Sequence, residues 1–259
     1  MKRKPYPTDL TDEQWAIIEP LLPKAKPGGR SRSVDLRAVL DGIFYVVKGG
    51  VPWRMLPHDL PPWGTVHFYY RKWRLDGTWA KILDVLRTRL RPADGRHKSP
   101  SAAVVDSQSV HTAAGGERGY DAGKRVAGRK RHIVVDTLGL LLAVVVHSAS
   151  VQDRDGVKLV TAGIKARFPR LKLIWADAAY EAAVGWAKRL GKFALELVRK
   201  PAGQKGFVLL PRRWVVERTF AWLMRCRRLA RDYERRTESS EAMVHVAMIR
   251  LMLRRLKPA

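Results

Sequence analysis

The chain has 259 residues, 46% of them hydrophobic, with 50 Lys and Arg against 24 Asp and Glu and a formal net charge of +26. That apolar content supports the core of one large or two small domains, and that excess of positive charge calls for a polyanionic partner, most often nucleic acid. One cysteine excludes a disulfide scaffold or a multi-cysteine zinc finger, the longest apolar run (138–146) is too short to span a bilayer, and the basic N-terminus lacks a secretion signal's apolar stretch, so a cytoplasmic protein without membrane association is expected.

Residues 11–22 read as a helix with a capping box, Thr11 at the cap and Gln14 three residues on, flanked by Leu10 and Trp15 at the staple positions. Pro23 and the Pro/Gly/Lys run after it end that helix. Ser33 is placed to cap a second helix, which carries Leu36, Val39, Leu40, Ile43, Phe44 and Val47 at helical spacing and stops at Gly49 and Gly50. Prolines 52, 57, 61 and 62 make 51–63 a constrained loop. A third helix is predicted over 65–75 and a fourth over 78–89. His67, Tyr70, Arg71 and Arg74 fall on one side of the third, at i, i+3, i+4 and i+7, a face suited to a DNA major groove. The alternative is a solvated basic face whose aromatics serve the core. The polar stretch 91–100, RPADGRHKSP, reads as a linker between a helical DNA-binding domain over 1–90 and a second domain over 101–259.

Beyond Pro100 the helical period gives way to short β-branched runs, predicting strands over 102–105, 131–136 and 140–146. A helix over 153–168 is stopped by Pro169. A strand over 171–176, a short helix over 178–190 and a strand over 193–199 follow, then a long helix beginning near Pro211. Three strands followed by βαβ crossovers predict an α/β fold with a mixed sheet and helices on its faces. This is the element order of the RNase H-like fold.

Asp106 ends one predicted strand in VVDSQS, and Asp177 ends another in LIWADAAY. Glu217 lies about two turns into the last helix, in RWVVERTFAWL. An acid at the carboxyl end of a buried strand is costly unless something satisfies it, and in open α/β sheets that end is where ligands bind. Neighbouring strands would set the aspartates side by side, and a divalent ion relieves their repulsion. Hard oxygen donors suit Mg²⁺ or Mn²⁺, and two such ions roughly 3.5–4 Å apart can clamp an in-line phosphoryl displacement. Each acid also has a plainer reading: a turn or cap residue for the aspartates, a surface pair with Arg213 for Glu217.

Several stretches together resemble a known family. LTDEQWAIIEPLLP, RSVDLRAVLDGIFYVVKGGVPWRMLP and PPWGTVHFYYRKWRLDGTW in the first half, and VVDSQSV, GRKRHIVVDTLGLLL, VQDRDG, WADAAY and WVVERTFAWL in the second, are similar to DDE-type bacterial insertion-sequence transposases of the compact "insertion sequence five" group. The resemblance implies that Asp106, Asp177 and Glu217 form the catalytic triad and hold the two ions. It implies hydrolysis at the element's terminal inverted repeats, then attack of the freed 3′-OH on target DNA. A homodimer or higher synaptic complex, associated with the nucleoid when bound to DNA, is expected. Related transposases carry a Y-R-E-K signature around the glutamate. Here Arg213 fits the arginine, Leu210 stands at the tyrosine position, and Met224 stands at the lysine position with Arg225 beside it. Asp177 and Glu217 are too close in sequence to hold the large β-rich insertion of some relatives.

Basic residues also cluster at Lys124, Arg125, Arg129, Lys130 and Arg131, and again over 212–236. Lys124, Arg129, Lys130, Arg131, Arg213 and Arg225 join His67, Tyr70, Arg71 and Arg74 as candidate DNA contacts. Asp136 is left to a turn, Asp153 and Asp155 to a helix start, and Cys226 to the core. Two rival readings stand beside the transposase: a tyrosine recombinase built on Arg129 or Arg131, His132 and Tyr233, and a non-catalytic DNA-binding regulator or inactive relic.

Overall fold

The computed structural model describes residues 3–25, 28, 32–113, 115–199 and 212–256. Helix α1 (Asp12–Ile18) opens with the expected capping box: Thr11 Oγ1 accepts the Gln14 N–H, and Gln14 Oε1 accepts the Thr11 N–H, both at 3.3 Å. Pro20 then tightens the chain into a 3₁₀ turn, Glu19–Leu21. Helix α2 (Leu36–Gly49) is capped by Asp35 rather than Ser33, because the carboxylate accepts from the N–H groups of Arg37 (2.8 Å) and Ala38 (3.3 Å). Helix α3 (Trp63–Leu75) starts directly after Pro62.

Helix α4 (Thr78–Ala93) runs past its predicted end and takes in Pro92. Tertiary partners hold that last turn. Arg91 is buried, its Nη1 paired with the fully buried Asp136 and its Nε donating to His97 O at 2.7 Å. The segment read as a linker therefore begins inside a helix that is anchored to the sheet.

The strands are β1 (Ala102–His111), β2 (Gly119–Asp121), β3 (Val126–Asp136), β4 (Leu141–Ser148), β5 (Leu173–Ala176) and β6 (Ala194–Leu197). The sheet runs β4-β3-β1-β5-β6, with β2 pairing the first residues of β3. β4, β3 and β1 are antiparallel neighbours, whereas β1, β5 and β6 are parallel. This is the mixed sheet of the RNase H-like fold, as the element order predicted. β1 is much longer than its apolar run because antiparallel pairing to β3 carries it on to His111. β2, a polar three-residue strand, has no apolar signal and was not predicted.

The helix predicted over 153–168 is broken at Ala162 and Gly163 into α5 (Asp153–Thr161) and α6 (Ile164–Arg167). The one predicted over 178–190 is a 3₁₀ stretch (Ala178–Ala183), a single α turn α7 (Val184–Trp186) and a π turn (Ala187–Gly191). The C-terminal helix, whose predicted start at Pro211 lies outside the described residues, is three: α8 (Trp214–Met224), α9 (Arg227–Ala230) and α10 (Thr237–Leu253).

Apolar residues cover both sheet faces. One face, with Ala103, Val105 and Ile174, packs on Val157, Val160, Ile164 and Phe168 of the α5–α6 layer. The other, with Val104, Val135 and Leu141, joins a single large cluster with Trp73, Trp79 and Leu86 of α3 and α4, Val216 and Phe220 of α8, and Met248 and Ile249 of α10. α10 is buried almost all round, as expected of a helix apolar on every side.

Candidate active site

The parallel register of β1 and β5 pairs Val104 with Trp175. Continuing it by two residues sets Asp106 level with Asp177, both on the sheet face that α8 covers. Asp106 thus sits within a long β1 rather than at its end, while Asp177 follows directly after β5. Each aspartate satisfies one oxygen locally. Asp106 Oδ1 accepts the Ser107 N–H at 2.7 Å, and Asp177 Oδ1 accepts the Ala179 N–H at 2.9 Å. The cap reading of Asp177 is therefore also true, but of one oxygen only.

The remaining oxygens meet a common partner. Nη2 of Arg213 lies 3.3 Å from Asp106 Oδ2, 3.6 Å from Asp177 Oδ2 and 3.6 Å from Glu217 Oε1. Three acids far apart in sequence converge within the reach of one guanidinium. The pair of Arg213 with Glu217 exists, and it is part of this cluster rather than a lone surface bridge. Arg213 stands at the N-terminal boundary of α8 with no side-chain capping bond, and Glu217 stands one turn into that helix.

The turn between β3 and β4 fixes α8. Thr219 Oγ1 donates to Gly139 O at 3.0 Å and Arg218 Nη2 to Leu138 O at 3.1 Å. A Cβ on Gly139, which has φ of +81°, would meet Thr219 Oγ1 at 2.7 Å. Trp214 and Trp222 stack on the Arg218 guanidinium at 4.3 and 4.6 Å, so they brace the helix. Burial pushes the Asp106 carboxyl up to about 6, as does the neighbouring Asp177, while the Ser107 N–H and Arg213 oppose the shift.

Behind Asp106 lies a polar network that the sequence reading missed. Ser107 Oγ donates to Asp153 Oδ1 at 2.9 Å. Lys130 Nζ stands 3.1 Å from Asp153 and 3.2 Å from Asp121, and His132 Nε2 stands 3.3 Å from Asp153. Burial alone would raise the Asp153 carboxyl, yet His132, Ser107 and Lys130 hold it well below the usual carboxylate range. Asp153 does open α5, as its place at a helix start suggested, and its side chain also ties that helix to the strand of Asp106. The only sequence signal was an acid at a helix start, which alone does not reveal a distant partner.

The other predicted DNA contacts divide. Lys124 is exposed, and its Nζ reaches Ser107 O and Oγ, both at 3.1 Å, which places it beside the cluster. Arg129, Lys130 and Arg131 are buried and cannot meet DNA in this fold. β3 alternates them between two layers: Arg129 and Arg131 turn toward the chain around 229–235, Lys130 toward Asp121 and Asp153. His132 is fully buried as well, which removes the set required for the tyrosine recombinase reading. Arg225 is exposed at the far end of α8, roughly 12 Å along the helix from Glu217. Leu210 lies outside the described residues.

On α3, Tyr70 is a core residue; its hydroxyl donates to Ser239 O at 2.5 Å, so it cannot read a base. His67 is half-buried against Trp53. Arg71 is exposed and Arg74 half-buried. The solvent face of α3 carries Phe68, Arg71 and Leu75 instead of the predicted set.

The donor set of the cluster, three carboxylates with no sulfur or imidazole, is that of a hard divalent cation. Among the described residues no three acidic, histidine or cysteine side chains are close enough to hold a metal as they stand. Around Arg213 the three acids are instead gathered by a guanidinium. No helix of the described residues is long and apolar enough to cross a membrane.

Two families match the chain: "Transposase DDE domain" over residues 97–252, and "Putative transposase of IS4/5 family" over residues 10–83. Among curated relatives, the chain is 36% identical over 115 residues to the "Insertion element IS402 uncharacterized 16.2 kDa protein" of Burkholderia cepacia, covering 42% of this chain and 77% of that one. It is 31% identical over 131 residues to the "Putative transposase for insertion sequence element IS402" of the same organism, covering 48% of this chain and 60% of that one. It is 29% identical over 117 residues to "Uncharacterized protein y4sN" of Sinorhizobium fredii, covering 44% and 87%.

Proposed function

The chain belongs to the transposase DDE-domain family, and from that premise we propose that it cuts the ends of an insertion element and joins the freed 3′-OH to target DNA. The observation that carries the reading is the convergence of Asp106, Asp177 and Glu217 on one guanidinium. These three would hold Mg²⁺ or Mn²⁺. When bound, a pair of such ions activates the attacking oxygen and stabilises the leaving oxygen of a phosphodiester.

The chain's own groups supply the rest. Asp106 and Asp177 each keep one oxygen on a backbone N–H, which locks the carboxylate plane and aims the other oxygen into the site. Glu217 is placed by α8, itself pinned to the β3–β4 turn. Lys124, at the rim, is positioned to neutralise a DNA phosphate next to the one being cut. The helical segment 10–83 supplies sequence contacts through the outer face of α3, where Arg71 suits a base edge or phosphate and Phe68 and Leu75 suit thymine methyls. Two or more copies hold the two ends together.

The test is a cleavage assay with purified protein, DNA bearing the element's own ends, and Mn²⁺. Asp106→Asn, Asp177→Asn and Glu217→Gln are each expected to lower cleavage by about 10²-fold or more while DNA binding persists. Retained cleavage in all three variants would falsify the assignment. Binding without any cleavage by the wild-type chain would favour a non-catalytic regulator.

A further inference from the structure

The three acids cannot serve Arg213 and a divalent metal at once. Mg²⁺ binds carboxylate oxygens at about 2.0–2.1 Å, and a guanidinium nitrogen facing the same oxygens places a like charge against it. Arg213 faces all three acids through a single nitrogen, at 3.3, 3.6 and 3.6 Å. Its side chain is only 15% exposed and that of Asp106 16%, whereas Asp177 and Glu217 stay open to solvent at 30% and 44%. The hold of Arg213 is one-ended, since Nε has no hydrogen-bond partner among the described residues. The residue stands at the N-terminal boundary of α8 and its side chain makes no capping bond, so it can swing without moving the helix that carries Glu217.

We propose that Arg213 holds the assembled triad closed to metal, and that it yields when DNA offers its guanidinium a phosphate. A phosphodiester is a better planar partner for a guanidinium than three divergent carboxylates, because it accepts two parallel hydrogen bonds. In the exchange the guanidinium passes from carboxylate to phosphate, and the divalent metal takes the vacated oxygens, adding at least one positive charge among the acids. No covalent bond changes. The outcome is coupling between two ligands: DNA tightens metal binding and metal tightens DNA binding by the same factor. The idea rests on the reading of Asp106, Asp177 and Glu217 as metal ligands, and the experiment separates the two.

Mn²⁺ binding is measured by electron paramagnetic resonance of the free ion, with no cleavage read. The wild-type chain, Arg213→Gln and Asp106→Asn are compared with and without a short duplex bearing the element's terminal sequence. Asp106→Asn with duplex gives the Mn²⁺ that the DNA itself takes up. Without DNA, Arg213→Gln is expected to bind Mn²⁺ about tenfold more tightly than wild type, within the usual range of coupling between sites. The duplex is expected to tighten the wild-type chain and to leave Arg213→Gln nearly unchanged. Equal affinity of wild type and Arg213→Gln without DNA overturns the proposal and leaves the metal site standing. Uptake no greater than that of Asp106→Asn in every sample overturns both. If circular dichroism shows Arg213→Gln unfolded, the wild-type chain decides: no gain in Mn²⁺ affinity on adding duplex defeats the proposal.

Discussion

Arg129 directs its guanidinium to three carbonyl oxygens, those of Glu117, Glu234 and Arg235 at 2.8, 2.6 and 2.9 Å, and to the carboxylate of Asp232 at 3.3 Å. Both charged partners are 1% exposed. Truncating it strands a buried carboxylate and three acceptors. Arg129→Ala is therefore expected to destabilise the fold by about 3–5 kcal/mol, read by chemical denaturation. An unchanged denaturation midpoint together with weaker DNA binding would restore it to the DNA surface. Arg129 and Lys124 lie in one basic run, yet one is structural and the other is at the site. The run alone could not separate them, because the partners that bury Arg129 come from about a hundred residues away. The triad was legible for the opposite reason: an acid set against an apolar strand is a local anomaly that calls for a partner.

At the scale of elements, the register of β1 on β5 delivers the two aspartates, and α5 supports them from the opposite sheet face. That support needs a close approach. A Cβ on Gly156 would stand 2.1 Å from Cε1 of His132. The same helix carries Asp153, which receives the Ser107 hydroxyl next to Asp106. Gly156→Ala is expected to lift α5 off β3 at a cost of about 1–3 kcal/mol or more, lowering the thermal midpoint. It should also weaken the Asp153 contact, seen as a rise in the Asp153 pKa by NMR titration; a variant with wild-type melting and titration would discard this account. The order of strands and helices could be read from the change of period after Pro100. The extent of β1, the existence of β2 and the breaks within the later helices could not, since pairing partners and tertiary contacts set them rather than local pattern.

For the whole molecule, the division into two domains is the expectation that the packing bears on most directly. Trp73 and Trp79, Val135 and Leu141, and Met248 and Ile249 belong to one apolar cluster. α10 lies between the N-terminal helices and β4, and Tyr70 hydrogen-bonds to its first turn. A fragment of residues 101–259 would leave that face of α10 and of the sheet bare to water. We expect it to lack a cooperative unfolding transition and to bind a hydrophobic dye such as ANS, as loosely packed states do. A sharp calorimetric transition in the fragment would show that the two parts fold independently.

The bond from Tyr70 to Ser239 has a geometric corollary. Helix α3 is tied through α10 to the sheet that carries Asp106 on β1 and Asp177 just after β5. If α3 touches bases, the number of base pairs from those bases to the broken bond is set by the rigid body of the protein, much as a gauge sets where a blade falls. Inserting half a helical turn of duplex between them should abolish the reaction, whereas a hinged pair of modules would tolerate it.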